Sequence, residues 1–541
     1  MKFLAAAVQF EPAWGRPAEN LERLLDLSRR AADAGARLIV WPEMATTGYI
    51  FADRAEIAPF VEPLPGPTFE RVAAFCRERQ VFVAYGLAEV DPDTGVYYNS
   101  AVLVDSRGRL AARYRKTHLW VEDTRWAAPG QEWSVVSTDL GRVALLVCRD
   151  ADFPEAARIL ALQGADLVIH PTNWLGRTPA NVWRARAAEN GVFWIATNRW
   201  GEERGARFSG GSCVIGPDGE VLDAKGPEGD GVAMAVVSVD RARDKARPDL
   251  DALDVRADDC QELLLNPHLY PPRRGPFKEG RVVVVQAGEA PSSPSDVKLA
   301  CERQLIELLN AEAPPALVVL PALVDVTDVR GARDVAAWAE PLPGPSSDWL
   351  LEWARRLDTR IASALLEWAD GELYLTTVLV GPGGVEAKKR SGAIPKAARA
   401  WCGSGAGDVW VDLPLGRVGL AHLAELRQPE ALRRLAQRGC RLVAAPGGGE
   451  AGRPWLWSAR AEENDLCVAV ANRDTGGGSF VYGDRREEAA RAPLAEPGRH
   501  EYLLPARADW LDDKSTLRMR PVHLYLPLVE RGERRASRGA G

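Results

Sequence analysis

The chain has 541 residues, too many for one ordinary hydrophobic core, and a prior of roughly 150 residues per domain points to two or more domains. Hydrophobic residues make up 46% and charged residues 26%, a composition that excludes a disordered or fibrous chain. With a net charge of −7 and basic runs of only two or three residues, such as Arg273-Arg274, Arg485-Arg486 and Lys388-Lys389-Arg390, nucleic acid is not expected as a partner.

The first predicted element is a strand over residues 3–10. Polar Gln9 interrupts its apolar run and no small-residue cleavage site follows, so the segment reads as a core strand and not as a signal peptide. Leu21, Leu24, Leu25 and Ala32 share one face of a helix that stops at Gly35, and Phe69, Val72, Ala73 and Cys76 share one face of another. Around these lie short β-rich runs at 38–41, 81–86, 100–104, 143–147, 167–169 and 193–197. Strands that are apolar at most positions and alternate with helices predict sheets covered by helices, a layered α/β fold. The apolar stretches 143–148 and 317–320 fall far short of the ~20 residues of a spanning helix, so no membrane is expected and the location reads as cytoplasmic.

An internal repeat organises the whole chain. Residues 141–155, GRVALLVCRDADFPE, match 416–430, GRVGLAHLAELRQPE, without a gap at an offset of 275. EPLPGP at 62–67 recurs at 340–345, ARAAEN at 185–190 recurs as ARAEEN at 459–464, and Asn198-Arg199 recurs as Asn472-Arg473. Even the tails echo each other, with HLY at 268–270 and again at 523–525. Pro267, Pro271, Pro272 and Pro276 give the stretch between the copies the character of an exposed, semi-rigid linker. The expected organisation is a first domain over 1–270, a linker over 271–280 and a second domain over 281–541.

Three residues of the first repeat are candidates for chemistry, beside the alternatives of a buried structural cysteine at Cys148, a solvated loop glutamate at Glu43 and a surface lysine at Lys116. Cys148 follows a strand and precedes Phe153-Pro154-Glu155, where Pro154 suits the first turn of a helix; a thiol there is expected to feel the helix dipole and to have its pKa lowered. The other seven cysteines are scattered, with no CxxC and no His at ligand spacing, so no metal site is expected from them. Glu43 closes the run 38–43 at the carboxyl end of a strand, and Lys116 closes another β-like run.

Trp41-Pro42-Glu43, then YRKTHL at 114–119, then Cys148-Arg149-Asp150 with Phe153-Pro154-Glu155, in that order and at those separations, resemble the three signature motifs of the nitrilase superfamily of carbon-nitrogen hydrolases. Arg186, Asn190, Asn198 and FSGGS at 208–212 fit the same pattern. The resemblance implies an αββα four-layer sandwich in each of two tandem domains. It also implies a Cys, Glu, Lys catalytic set of Cys148, Glu43 and Lys116 that needs no cofactor, and a backbone N–H at Arg149 as an oxyanion donor. Members of the family add a second acidic residue before a Pro-Gly turn; spacing to Pro129-Gly130 lands on Asp123, chemistry favours its neighbour Glu122, and Glu122 is taken as the expected residue.

The second repeat has lost the set. Pro42-Glu43 becomes Pro321-Ala322, Cys148 becomes Leu423, and Lys116 becomes Ser391 or, with a one-residue shift, Gly392. Arg460, Asn464 and Asn472 read as fold-keeping positions. The resemblance implies that the inactive copy stands as a second subunit in an intrachain pseudo-dimer, with further homo-oligomerisation left open.

The expected reaction is hydrolysis of a small carboxamide to acid and ammonia. Cys148-Arg149-Asp150 is closer to the Cys-Tyr-Asp type of amidases and N-carbamoyl amide hydrolases than to the Cys-Trp-Glu type of nitrilases. Arg149, Trp174 and Asn173 are the expected substrate-binding residues; for Arg149 a carboxylate-bearing substrate and a surface salt bridge are equally good readings, and for Trp174 a place in the core competes with the pocket wall. An N-carbamoyl amide hydrolase, a nitrilase, an acyltransferase working through the same thioester, and a non-enzymatic scaffold are the alternatives.

Overall fold

The structure is a computed structural model that describes residues 1–244, 262–264, 276–287, 293–325, 334, 337–394, 398–448, 453–473, 478–483, 498–506, 517 and 519–528. The tail at 268–270 and most of the 271–280 stretch lie outside the described residues. Contacts divide the chain into two compact units, one formed by Met1–Cys260 with Arg520–Gly541 and the other by Gln261–Met519. The sequence reading placed 520–541 with the second half; Arg520, Tyr525 and Leu528 are buried, and they group with the first unit.

In the first unit the strands are β1 (Lys2–Gln9), β2 (Ala36–Val40), β3 (Phe82–Val90), β4 (Tyr97–Val104), β5 (Leu110–Arg115), β6 (Val135–Thr138), β7 (Gly141–Leu145), β8 (Leu167–Thr172), β9 (Phe193–Asn198), β10 (Trp200–Glu203), β11 (Ala206–Ser209), β12 (Cys213–Ile215), β13 (Val221–Ala224) and β14 (Gly231–Ser238). They form two six-stranded sheets, in the orders β14-β1-β2-β3-β4-β5 and β13-β12-β9-β8-β7-β6, and a β10-β11 hairpin. Ala6 and Val8 of β1 pack against Leu21, Leu24 and Leu25 of helix Pro17–Asp33 and against Phe69, Val72 and Ala73 of helix Pro67–Arg79. Ala5 and Ala7, equally buried, point to the other face by the period-2 alternation of a strand.

The second unit repeats the plan with a six-stranded and a five-stranded sheet. Its strand β15 (Gly280–Gln286) shows the layering directly. Val282 and Val284 pack with Val418, Leu420, Leu442 and Ala444 of the other sheet, whereas Val283 and Val285 pack with Val297, Cys301 and Leu305 of helix Pro294–Leu308. One face of the sheet meets a sheet and the other meets helices, which is the αββα arrangement expected from the sequence.

Strand direction explains where chemistry collects in the first unit. β1, β2 and β3 are parallel, and β5, two antiparallel steps beyond β3, runs with them again. β7, β8 and β9 are also parallel. The residues just past the ends of β2, β5, β7 and β8 are Trp41-Pro42-Glu43, Lys116, Leu146-Val147-Cys148 and Asn173, and each follows a strand's carboxyl end.

Candidate active site

Glu43 is held by the strand edge that precedes it. The Trp41 N–H donates to Ala84 O (2.8 Å), the Trp41 indole donates to Ser28 Oγ (2.8 Å), and Thr197 Oγ1, on β9 of the other sheet, donates to Trp41 O (2.9 Å). Gly86 on β3 donates its N–H to Pro42 O, and a Cβ at that glycine would lie 2.5 Å from Glu43 Cα and 2.8 Å from Met44 N. The close approach of two backbones requires glycine there.

Lys116 is pinned between two carboxylates. Its Nζ donates to Glu43 Oε1 (2.9 Å) and to Asp123 Oδ2 (2.6 Å), and all three side chains are fully buried. Asn99 on β4 closes the cluster, donating through Nδ2 to Glu43 Oε1 (2.7 Å) and to Asp123 Oδ1 (2.9 Å). Burial works against the Lys116 charge, but Asp123 and Glu43 outweigh it and hold the ammonium's pKa well above the ordinary lysine value. Burial raises the pKa of Glu43, with the Asp123 charge adding and the Lys116 charge opposing.

The acidic residue that touches Lys116 is Asp123, whereas the sequence reading favoured Glu122. Asp123 opens a short 3-10 turn, Asp123–Arg125, with its carboxylate pointing inward, where Oδ2 also accepts from the Trp120 N–H. The half-buried Glu122 adds its charge to the surroundings of Tyr49. The longer side chain is therefore not needed to span the distance, because the turn brings the shorter one close.

Cys148 has φ +47°, in the left-handed region that a non-glycine residue occupies only when its surroundings impose it. The imposing groups are visible. Asp150 Oδ2 accepts from the Val147 N–H (2.8 Å) and from the Tyr114 hydroxyl (2.7 Å); Asp150 Oδ1 accepts from Thr117 Oγ1 (3.0 Å), the His118 N–H (3.1 Å) and His118 Nδ1 (2.7 Å). Burial opposes ionisation of Asp150, yet the His118 contact and these donors hold its pKa below the ordinary carboxylate value. Beneath the turn, His170 Nε2 donates to Cys148 O (2.8 Å), and burial lowers the His170 pKa to about 4, keeping the ring neutral.

The thiol pKa is raised and not lowered, against the expectation from the helix dipole. Cys148 begins a five-residue 3-10 turn, Cys148–Asp152, and the α-helix starts only at Pro154. Burial pushes the thiol up strongly and the Glu43 charge adds to this; Lys116, Thr172 and the Asn173 backbone pull the other way without reversing it. Cys148 is thus a neutral thiol at rest with Glu43 and Lys116 in its field.

The remaining expected residues surround this cluster to different degrees. Buried Asn173 donates through Nδ2 to Glu43 O (3.1 Å). Trp174 is half-buried and meets Trp183 edge-on, and its backbone is held by Asn198, whose Oδ1 accepts from the Trp174 N–H (2.7 Å). Arg149 is 4% exposed, with its guanidinium 4.6 Å from the Trp120 ring centroid, so it is not a surface residue. Tyr49 escaped the sequence reading: it is buried, its hydroxyl has no hydrogen-bond partner among the described residues, and Lys116 Nζ lies 5.8 Å from its ring centroid. Asn99 escaped it too, although a polar residue inside the apolar strand 97–104 was a signal that could have found it.

At the matching places of the second unit the chemistry is absent. Leu423 begins the 3-10 turn Leu423–Arg427 that corresponds to Cys148–Asp152, and Ala322 replaces Glu43. Leu375 and Ala398, which correspond to Asn99 and Asp123, join Val324, Leu366, Ile394 and Cys402 in an apolar cluster. The framework persists: Arg158 Nη1 donates to Glu189 O as Arg433 Nη1 does to Glu463 O, and Arg186 pairs with Glu189 as Arg460 does with Glu463. Among the described residues no group of three or more His, Cys, Asp or Glu is arranged to hold a metal, and no helix is long and apolar enough to cross a membrane.

The carbon-nitrogen hydrolase family model matches residues 4–247 and 303–498. A nitrilase of Pyrococcus abyssi is 36% identical over 248 residues, 46% of this chain and 94% of its own, and an (R)-stereoselective amidase of a Pseudomonas species is 37% identical over 254 residues, 46% of this chain and 89% of its own. A carbon-nitrogen hydrolase from Helicobacter pylori G27 is 26% identical, covers 45% of this chain and 91% of that one, and aligns with a TM-score of 0.42. The family match in both segments shows that the chain belongs to the carbon-nitrogen hydrolases of the nitrilase superfamily, as a tandem of two such domains.

Proposed function

We propose that the first unit hydrolyses a small carboxamide to acid and ammonia through a thioester on Cys148, and that the second unit performs no turnover. The observation that carries the reading is the buried Glu43, Lys116, Asp123 cluster, of which Glu43 and Lys116 act on the thiol of a strained turn.

Each group has a task that its surroundings suit. Glu43, with its pKa raised by burial, takes the thiol proton as the sulfur attacks the carbonyl carbon, so a neutral resting thiol is activated only when substrate is in place. Lys116, kept charged by Asp123, faces the oxyanion, with the Arg149 N–H as second donor. Glu43 returns the proton to the departing nitrogen, ammonia leaves, and the thioester remains. Glu43 then takes a proton from water, hydroxide adds to the thioester, and collapse releases the acid while the proton returns to sulfur. Asn173 and the Tyr49 hydroxyl are assigned to contacts with the amide, on the grounds that Asn173 is bound to the Glu43 carbonyl and the Tyr49 ring lies near Lys116. Asp123 holds Lys116 in position and so acts through it.

The test is incubation with a panel of amides, carbamoyl compounds and nitriles, with ammonia release and intact mass followed together. An acyl adduct on the peptide bearing Cys148, absent from Cys148→Ala, is the expected result. Absence of both turnover and adduct across all three classes would sink the proposal.

A further inference from the structure

The Cys148 turn is braced from a distant part of the chain. Its anchor, Asp150, rests on His118, and His118 Nε2 lies 3.3 Å from the hydroxyl of Tyr525, 407 residues further on. The His118 ring stacks on Phe153 (centroids 3.7 Å apart, planes at 13°) and on Trp133 (5.9 Å, 20°), and Trp133 stacks in turn on Tyr525 (5.9 Å, 20°). Arg520 Nε donates to Glu155 Oε1 (3.0 Å), both side chains being buried, and the Arg520 guanidinium lies 5.1 Å from the Tyr525 ring centroid. Glu155 stands in the first turn of helix Pro154–Leu162, immediately after Cys148–Asp152. The two contacts therefore grip the two supports of the turn: the His118–Asp150 pair and the helix that follows.

The chemistry of these groups makes the contacts consequential. With His118 Nδ1 directed at Asp150, the other ring nitrogen has the Tyr525 hydroxyl as its partner, and that hydroxyl can donate to a neutral ring or accept from a protonated one. Removing the Tyr525 hydroxyl leaves an unsatisfied nitrogen in a buried ring. Removing Arg520 takes away the cation that faces a buried Glu155 carboxylate. In the second unit Ala393 stands where His118 stands in the first, so nothing equivalent can form there.

We propose that segment 520–528, which closes the second repeat in sequence, is a positioning element of the first unit's reaction centre, acting through Tyr525 on His118 and Arg520 on Glu155. The reading of Cys148 as the reacting group underlies this inference, and the test therefore has a readout that needs no substrate.

In the full-length chain, Tyr525→Ala and Arg520→Ala are expected to lower kcat for the best amide about tenfold or more, with KM changed less than about threefold. Tyr525→Phe, which keeps the stacked ring and drops the hydroxyl, gives a smaller loss, and Arg520→Lys, which keeps a cation, recovers part of the activity lost in Arg520→Ala. The second readout is the rate of iodoacetamide alkylation at Cys148, followed on its peptide by mass spectrometry, which shifts at least threefold in the same variants while the other cysteines keep their rates. If no amide is turned over even by the unaltered chain, the alkylation rates alone decide. A folded Arg520→Lys, Tyr525→Phe double variant with kcat and Cys148 alkylation both within twofold of the unaltered chain overturns the proposal. So does an activity loss explained entirely by a smaller folded fraction.

Discussion

Ser391 occupies in the second unit the backbone position that Lys116 holds in the first. The Lys116 N–H donates to Asn99 O and its carbonyl accepts from Gly130 N; the Ser391 N–H donates to Leu375 O and its carbonyl accepts from Gly405 N, each at 2.8 Å. Of the two matches the repeat allowed, Ser391 or Gly392, the hydrogen bonds select Ser391. The loop is the same and its ammonium is gone.

This sets the first prediction. Cys148→Ala in the full chain removes all measurable amide turnover, with no residual rate from the second unit. Adding Leu423→Cys to that variant restores nothing, because the positions that match Glu43 and Lys116 carry Ala322 and Ser391, and the nearby Lys389 and Glu425 are paired with each other (3.1 Å). Gly447, whose Cβ would lie 2.5 Å from Leu423 Cβ, shows how tightly the leucine is packed. Ammonia release measured on the two variants settles it, and turnover in the second one would contradict the assignment.

The two neighbouring acids should separate cleanly. Asp123→Asn keeps the shape but removes the charge that holds Lys116, and is expected to cost about 10²-fold in kcat, toward the lower end of the range for losing one positioned ionisable group. Glu122→Gln is expected to cost less than about tenfold. If the order is reversed, Glu122 acts on the substrate directly and Asp123 is a structural residue.

Gly86 offers a test by geometry alone. Gly86→Ala sets a methyl against the Glu43 backbone, which cannot yield as a flexible side chain would. A displacement of the base by about 1 Å is enough for a loss on the order of 10²-fold in kcat, and overpacking costs about 1–3 kcal/mol of stability. Where the second unit has lost the glutamate, the corresponding strand position carries Ala364 and the restriction is absent. Steady-state kinetics and a melting curve on the variant check both halves; unchanged kcat shows that Glu43 has room to move.

The legible parts of the sequence were those written as periodicity or as ordered motifs. The apolar run over residues 3–10 and the spacing of Leu21, Leu24 and Leu25 announced a strand and a helix because a buried strand or helix face dictates where apolar residues fall. Glu43, Lys116 and Cys148 stood out in the sequence through the ordered motifs around them, and the fold sets each just past a strand end. What stayed hidden depended on turns and on contacts between residues far apart in sequence. The turn at Asp123–Arg125 reverses the choice between two adjacent acids, and no periodicity encodes it. Burial turned the Cys148 thiol in the direction opposite to the one a helix terminus suggested, because desolvation outweighs a dipole that begins only at Pro154. Tyr525 on His118 could not be read from either end, since His523-Leu-Tyr525 looked like a mere echo of its first-half counterpart.

The last prediction concerns pH and the scaffold of the second unit. Glu367 on its strand Ile361–Ala369 accepts from Thr376 Oγ1 (2.8 Å), Lys388 Nζ (2.7 Å) and Arg390 Nε (3.0 Å). Burial alone would raise its pKa, but the bonds from Arg390, Lys388 and Thr376 more than reverse this and hold it at about 2. A carboxylate whose folded pKa lies below its unfolded value adds stability above the unfolded pKa, and that stability disappears as pH falls through the folded one. Glu367→Gln should therefore destabilise the chain at neutral pH by about 1 kcal/mol, a modest figure because Lys388 and Arg390 are partly in water. The gap between variant and unaltered chain should close as pH falls from about 4.5 toward about 2. Urea denaturation of both chains at several pH values measures it, and a gap that stays constant across that interval would show that the glutamate contributes by packing and not by charge.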